Sequence, residues 1–142
     1  MNAAVTRSYA PAEDAGKLLL RLAVGILILL HGVAKIGSGV GGIAGMLQKA
    51  GIPGEVAYLV YVGEVLAPLL LIIGAWTRPA ALVVAFNMLV AIALVHMGEL
   101  GQLTKGGGWA LELQGMFLFG ALAIALLGAG RYSAGGIDGR WN

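Results

Sequence analysis

The chain contains no cysteine. It can therefore form no disulfide, thiolate metal site, iron–sulfur cluster or thiol relay. Any redox chemistry must come through a bound quinone, flavin, haem or metal, or through a partner protein. Charge is the second scarcity. Only 11% of the 142 residues are charged, against about a quarter in a soluble domain. Such a chain cannot cover a water-facing surface, so lipid must be its solvent. The net charge of +2 sits near the ends of apolar runs, which points to membrane orientation and not to nucleic acid. Proline is rare, at four residues, and the 24 glycines follow no Gly-X-Y period, which excludes a collagen-like repeat. Glycine is frequent in membrane helices.

What is abundant is apolar sequence: 59% of residues are hydrophobic and the mean hydropathy is +0.90. Four apolar runs approach the roughly 20 residues that a bilayer requires. They cover about 16–36, 54–76, 78–97 and 109–128. None alternates with period two, and helices satisfy their own backbone in hydrocarbon. The expected fold is all-α: one domain over 1–142, an integral membrane four-helix bundle. Between the first two spans, Ile43, Met46, Leu47 and Ala50 recur at helical spacing. This predicts a short amphipathic or re-entrant segment, closed by Gly51-Ile52-Pro53-Gly54. The polar start lacks a basic region ahead of its apolar stretch, so the first helix is read as a span and not as a cleaved signal.

Four spans place both termini and the Trp76–Pro79 turn on one side. That side carries Arg7, Lys17, Arg21, Arg78, Arg131 and Arg140; the other carries Lys35, Lys49 and Lys105. The positive-inside rule puts both termini in the cytoplasm.

This orientation sorts the polar residues by depth. Glu64 lies about ten residues, or roughly 15 Å, inside the second span. An acidic residue at a helix centre costs about 2.5 to 3.5 kcal/mol on insertion scales, so it needs a partner, water or a proton. His31, Lys35, His96, Glu99, Glu112 and Gln114 occupy the outer ends of the other spans. Tyr61, one turn before Glu64, can donate a hydrogen bond to it. Pro68 cannot donate to the Glu64 carbonyl and can kink the helix there. Each residue also has a plainer reading. Glu64 can be a structural bond between helices, and His31 and His96 can be interfacial residues. Lys35 and Glu99 can snorkel to the surface, and the tryptophans can form interface belts. Arg21 reads as an end anchor. Asn87, about 180° around its helix from His96, reads as a helix contact.

The segment Arg21-Leu-Ala-Val-Gly25 followed by His31-Gly32-x-x-Lys35 resembles the opening of DoxX-family membrane proteins. So do Gly51-Ile-Pro53, Gly63-Glu64, Gly74-x-x-Thr77-Arg78, His96 and Gly130-Arg131-Tyr132-Ser133. The resemblance spans roughly residues 17–133. It implies a four-helix bundle in the bacterial cytoplasmic (inner) membrane, with a link to thiosulfate:quinone oxidoreductase, quinone-stress resistance or superoxide-detoxifying assemblies. The positions it carries over are His31, Lys35, Glu64, Arg78, His96 and Glu112. Without a cysteine, no persulfide can form for direct sulfur transfer.

Three functions fit. The first is a quinone-linked redox or oxidative-stress auxiliary protein. A quinone needs an apolar slot with polar groups for its two oxygens, and its reduction consumes protons. Glu64, His31 and His96 are the candidate catalytic residues. His31, Lys35, Tyr61, Glu64, His96, Glu112 and Gln114 are the candidate ligand-binding set. No electron donor is visible, so a redox partner protein is expected. The second is a metal site on His31, His96 and Glu99, a weak signal because His96-x-x-Glu99 reverses the usual Glu-x-x-His order. The third is a lipid or small-molecule carrier, or a structural subunit. Gly115 and Gly120 permit the close packing of a homo-oligomer.

Overall fold

The computed structural model describes residues 11–142; Arg7 of the orientation argument lies outside them. Among the described residues the chain is all-helical, with five α-helices and no strand: α1 Pro11–Ser38, α2 Gly41–Lys49, α3 Ala67–Ile73, α4 Thr77–Ala91 and α5 Glu112–Leu127. Helix α3 completes a continuous helical stretch, Gly54–Ile73, that opens as a 3-10 turn over Gly54–Leu59 and a π turn over Val62–Leu66. Helix α4 likewise runs on through a π turn, Ile92–His96, and a 3-10 turn, Met97–Glu99. Three stretches, Pro11–Ser38, Gly54–Ile73 and Thr77–Glu99, are long and apolar enough to cross a membrane. The fourth apolar run forms α5, at 16 residues a shorter helix.

The packing suits lipid. The interior is built from small side chains: Ala67 on α3, Ala80, Ala81 and Ala85 on α4, and Ala121 on α5, filled in by Val24, Ile28, Leu71, Val84, Met88, Phe117 and Ile124. Large apolar residues such as Leu30, Phe86, Met116, Phe119 and Leu126 face outward. In water this arrangement would waste their burial. In hydrocarbon there is no gain in hiding them, and small residues let backbones approach. Helix α5 uses this against α4, its most extensive neighbour.

Helix α2 packs through Leu47 onto Val40 and Ala57, with Ile43, Ala44, Tyr61 and Leu94 around them. Only part of its expected apolar face is covered, since Met46 is 42% exposed.

At the opposite end, Gly74 ends α3 with a left-handed φ of 76°. The segment after α5 then folds over the α3–α4 turn. Its amides at Ala134 and Gly135 donate to the Ile73 and Gly74 carbonyls, and the Trp141 carbonyl accepts from the Arg78 amide. The Thr77 hydroxyl donates to the Asn142 side chain at 2.9 Å. One segment thus satisfies orphan carbonyls of one helix and orphan amides of the next. Residues of α1 hold it down. Asp14 accepts from the Arg131 amide at 3.0 Å. Arg21, only 1% exposed, donates to the Ala129 carbonyl at 3.2 Å and the Tyr132 carbonyl at 2.7 Å. The end anchor of the sequence reading is therefore a buried clamp. A Cβ on Gly74 would run into its guanidinium.

Arg21→Lys should release this segment, because an ammonium lacks the planar fork that reaches two carbonyls at once. We expect a loss of about 1–2 kcal/mol and faster tryptic cleavage at Arg131 and Arg140 in the detergent-solubilised protein. Unchanged cleavage would remove Arg21 from this role.

Candidate functional site

The apolar interior is interrupted at one level. There Lys35 Nζ of α1 meets Glu64 Oε2 at 2.5 Å. The lysine side chain is 28% exposed and the glutamate 7%. The other carboxylate oxygen accepts from Asn87 Nδ2 of α4 at 3.3 Å. Asn87 can come this close because residue 63 is glycine: a Cβ there would lie 2.6 Å from the Asn87 side chain. Lys35 therefore does not snorkel away; it supplies the partner that a buried carboxylate needs.

Local backbone geometry places Glu64. Pro68 has no N–H for the Glu64 carbonyl, and its ring crowds that oxygen. The Val62–Leu66 π turn absorbs the misfit. The Glu64 carbonyl then lies against Gly32, where a Cβ would collide with it. The π turn starts just after Tyr61, so the helical spacing that predicted a Tyr61–Glu64 bond does not apply. The Tyr61 hydroxyl donates instead to the Lys35 carbonyl at 3.1 Å, fixing the end of α1 that carries the lysine.

A second polar group lies across the interior. His96 Nδ1 contacts Glu99 Oε2 at 3.0 Å, and its Nε2 contacts Gln114 Nε2 of α5 at 3.1 Å. The π turn Ile92–His96 matters here too. One inserted residue turns the helix by about 100°, so Asn87 and His96 need not point apart as regular spacing implies. Asn87 makes the helix contact that the sequence argument gave it, and its partner is Glu64. Its signal was available: it is a lone amide within an apolar span.

Residues of both polar groups line a cavity of about 190 Å³. Its polar lining is His31, Lys35, Glu64, His96 and Gln114; Ile28, Met88, Leu113 and Phe117 form apolar walls. His31 is exposed and stands edge-on to Phe117, ring centroids 6.0 Å apart. The volume corresponds to roughly six waters at about 30 Å³ each. It is below the roughly 300 Å³ at which pockets for drug-sized ligands begin, so it suits a single ring or a compact head group.

The structure brings together five of the seven residues proposed for ligand binding. Tyr61 supports from behind. Glu112 does not join them: it is exposed at the start of α5, with its carboxylate against Gly108. Of the weak metal set, only His96 and Glu99 touch. Among the described residues no three His, Asp or Glu side chains gather in a metal-ligating arrangement.

A second, open cleft of about 400 Å³ lies at the other end, beside Trp76, Arg140, Trp141 and Asn142. The half-exposed Trp141 ring there carries the Arg140 guanidinium 5.2 Å from its centroid.

No curated protein and no solved structure matches the chain. The DoxX family model matches residues 16–97. That segment includes the Lys35–Glu64–Asn87 group and His96, and ends before Gln114. With more than half of its length matched, the chain belongs to the DoxX family.

Proposed function

We propose that this chain is a quinone-linked redox or oxidative-stress auxiliary protein of the bacterial inner membrane, with the cavity as its quinone head-group site. In this reading α5 is the fourth span of a four-helix bundle, α2 lies in the outer interface, and both termini are cytoplasmic. The carrying observation is the cavity itself: a small space with apolar walls that two polar groups line, Lys35–Glu64 and His96–Gln114. Lys35 has three N–H donors and gives one to Glu64; another can go to a quinone carbonyl. Glu64 holds the ammonium in place and serves as the proton acceptor that takes up a proton and passes it to the quinone oxygen as it is reduced. His96 and Glu99 offer protons a way to the outer face, since Glu99 is 46% exposed. The chain has no thiol, so electrons come from a redox partner protein. The isoprenoid tail of a natural quinone would leave between helices into lipid, because the cavity has no room for it.

Native mass spectrometry of the gently extracted protein, beside a titration with ubiquinone-1, tests this. Wild type should retain a quinone mass. Glu64→Gln keeps the shape and should bind ubiquinone-1 about tenfold more weakly, one misplaced charged hydrogen bond being worth about 1.4 kcal/mol or more. Equal binding by a folded variant would remove Glu64 from the site. A wild type that binds neither a quinone nor its quinol would sink the reading.

A further inference from the structure

The two polar groups that line the cavity differ in hydrogen-bond polarity. A carboxylate only accepts, so the 3.0 Å contact with Glu99 requires the proton on His96 Nδ1. A neutral imidazole has one proton, which leaves Nε2 as an acceptor. The contact with Gln114 agrees, since its amide nitrogen lies 3.1 Å from Nε2 and can donate to it. His96 Nε2 is thus an acceptor in the cavity lining, met by the Gln114 amide. Lys35, in the other group, can only donate. Its carboxylate partner Glu64 is already engaged by Lys35 and by Asn87. His31 stands at the mouth, against Phe117.

This polarity separates the two redox forms of a quinone. A quinone presents an acceptor oxygen at each end of its ring, and at His96 a carbonyl lone pair would face the Nε2 lone pair. A quinol presents hydroxyls, each able to donate or accept. We propose that the cavity selects the reduced, dihydroxy form. One hydroxyl donates to His96 Nε2 in place of the Gln114 amide, and the other oxygen accepts from Lys35 Nζ. Glu99 acts as a positioning residue: it does not touch the ring but fixes which imidazole nitrogen carries the proton. The inference rests on the quinone reading above and adds the redox state to it.

The experiment is an anaerobic equilibrium titration of the full chain in nanodiscs with ubiquinol-1 and, separately, ubiquinone-1. Wild type should bind ubiquinol-1 at least about tenfold more tightly, the difference between a made and a repelled hydrogen bond at a buried group. Glu99→Gln should narrow that ratio several-fold, because an amide can donate to Nδ1 as well as accept from it and so releases the tautomer. Glu99 is half-exposed, so the fold tolerates the change, and the ratio of two affinities is insensitive to a general loss of folded protein. Equal affinity for the two forms, or tighter binding of ubiquinone-1, would overturn the selection and leave the quinone site standing. A ratio unchanged in Glu99→Gln would also overturn it. If neither form binds, the selection and the quinone reading fall together.

Discussion

Lys35→Met is expected to cost about 3 kcal/mol of stability in detergent micelles, while Lys35→Met combined with Glu64→Leu should recover most of that loss. The reason is the asymmetry of buried ion pairs. Removing one partner leaves a charge in a medium that cannot solvate it, at about 3–5 kcal/mol. Here Glu64 is 7% exposed and would keep only the Asn87 amide at 3.3 Å. Lys35 is 28% exposed and the cavity beside it can admit water, which sets the expectation at the lower end. Replacing both charges with apolar groups of similar size removes the attraction and both desolvation costs, and such exchanges are often neutral. Reversible unfolding in mixed micelles, followed by circular dichroism, measures the three variants. If Lys35 merely extended to the outer surface, the single variant would lie within about 0.5 kcal/mol of wild type, as ordinary surface changes do. That result would dismantle the pair. The double variant should also lose ubiquinone-1 binding while remaining folded, which separates the stability role of the pair from its role in the site.

The sequence made the apolar helices and their order legible because they rest on length and hydropathy; three of the four stretches are long and apolar enough to cross a membrane. It made His31, Lys35, Glu64 and His96 legible as polar residues of apolar stretches, and all four line the cavity. Direction around a helix was not legible where the helix is irregular. Both polar groups of the cavity lining adjoin a π turn, Val62–Leu66 at Glu64 and Ile92–His96 at His96. Regular spacing therefore joined Tyr61 to Glu64, whereas the Tyr61 hydroxyl donates to the Lys35 carbonyl. Pro68 foretells a disturbance in the first case; nothing comparable marks the second. Glu112 shows the converse limit. As the first residue of α5 it faces the Gly108 loop. The segment over the α3–α4 turn was invisible for another reason: it is held by backbone groups and Arg21, and backbone pairing across 50 or more residues leaves no pattern in composition.

Gly32→Ala should destabilise the protein by about 2–3 kcal/mol, although Gly→Ala within a helix ordinarily stabilises by roughly 0.5–1 kcal/mol. A Cβ at Gly32 would overlap the Glu64 carbonyl oxygen and lie 2.7 Å from both the Glu64 carbonyl carbon and Val65 Cγ2. Two of those three atoms are backbone, so no rotamer relieves the overlap and α1 must move away from the π turn. Gly16 supplies the control within the same helix. Nothing lies within 4 Å of a Cβ there, so Gly16→Ala should be neutral or stabilising. Opposite signs for one chemical change on one helix would isolate close approach as the cause. The functional consequence follows from spacing along α1. Lys35 is three residues beyond Gly32, so moving α1 outward lengthens the Lys35–Glu64 contact and opens one wall of the cavity. Gly32→Ala should therefore weaken ubiquinone-1 binding several-fold in the fraction that stays folded, whereas Gly16→Ala should leave it unchanged. A Gly32→Ala protein as stable as wild type would mean that α1 does not rest on the Glu64 carbonyl, and the cavity would lose the contact that sets its width.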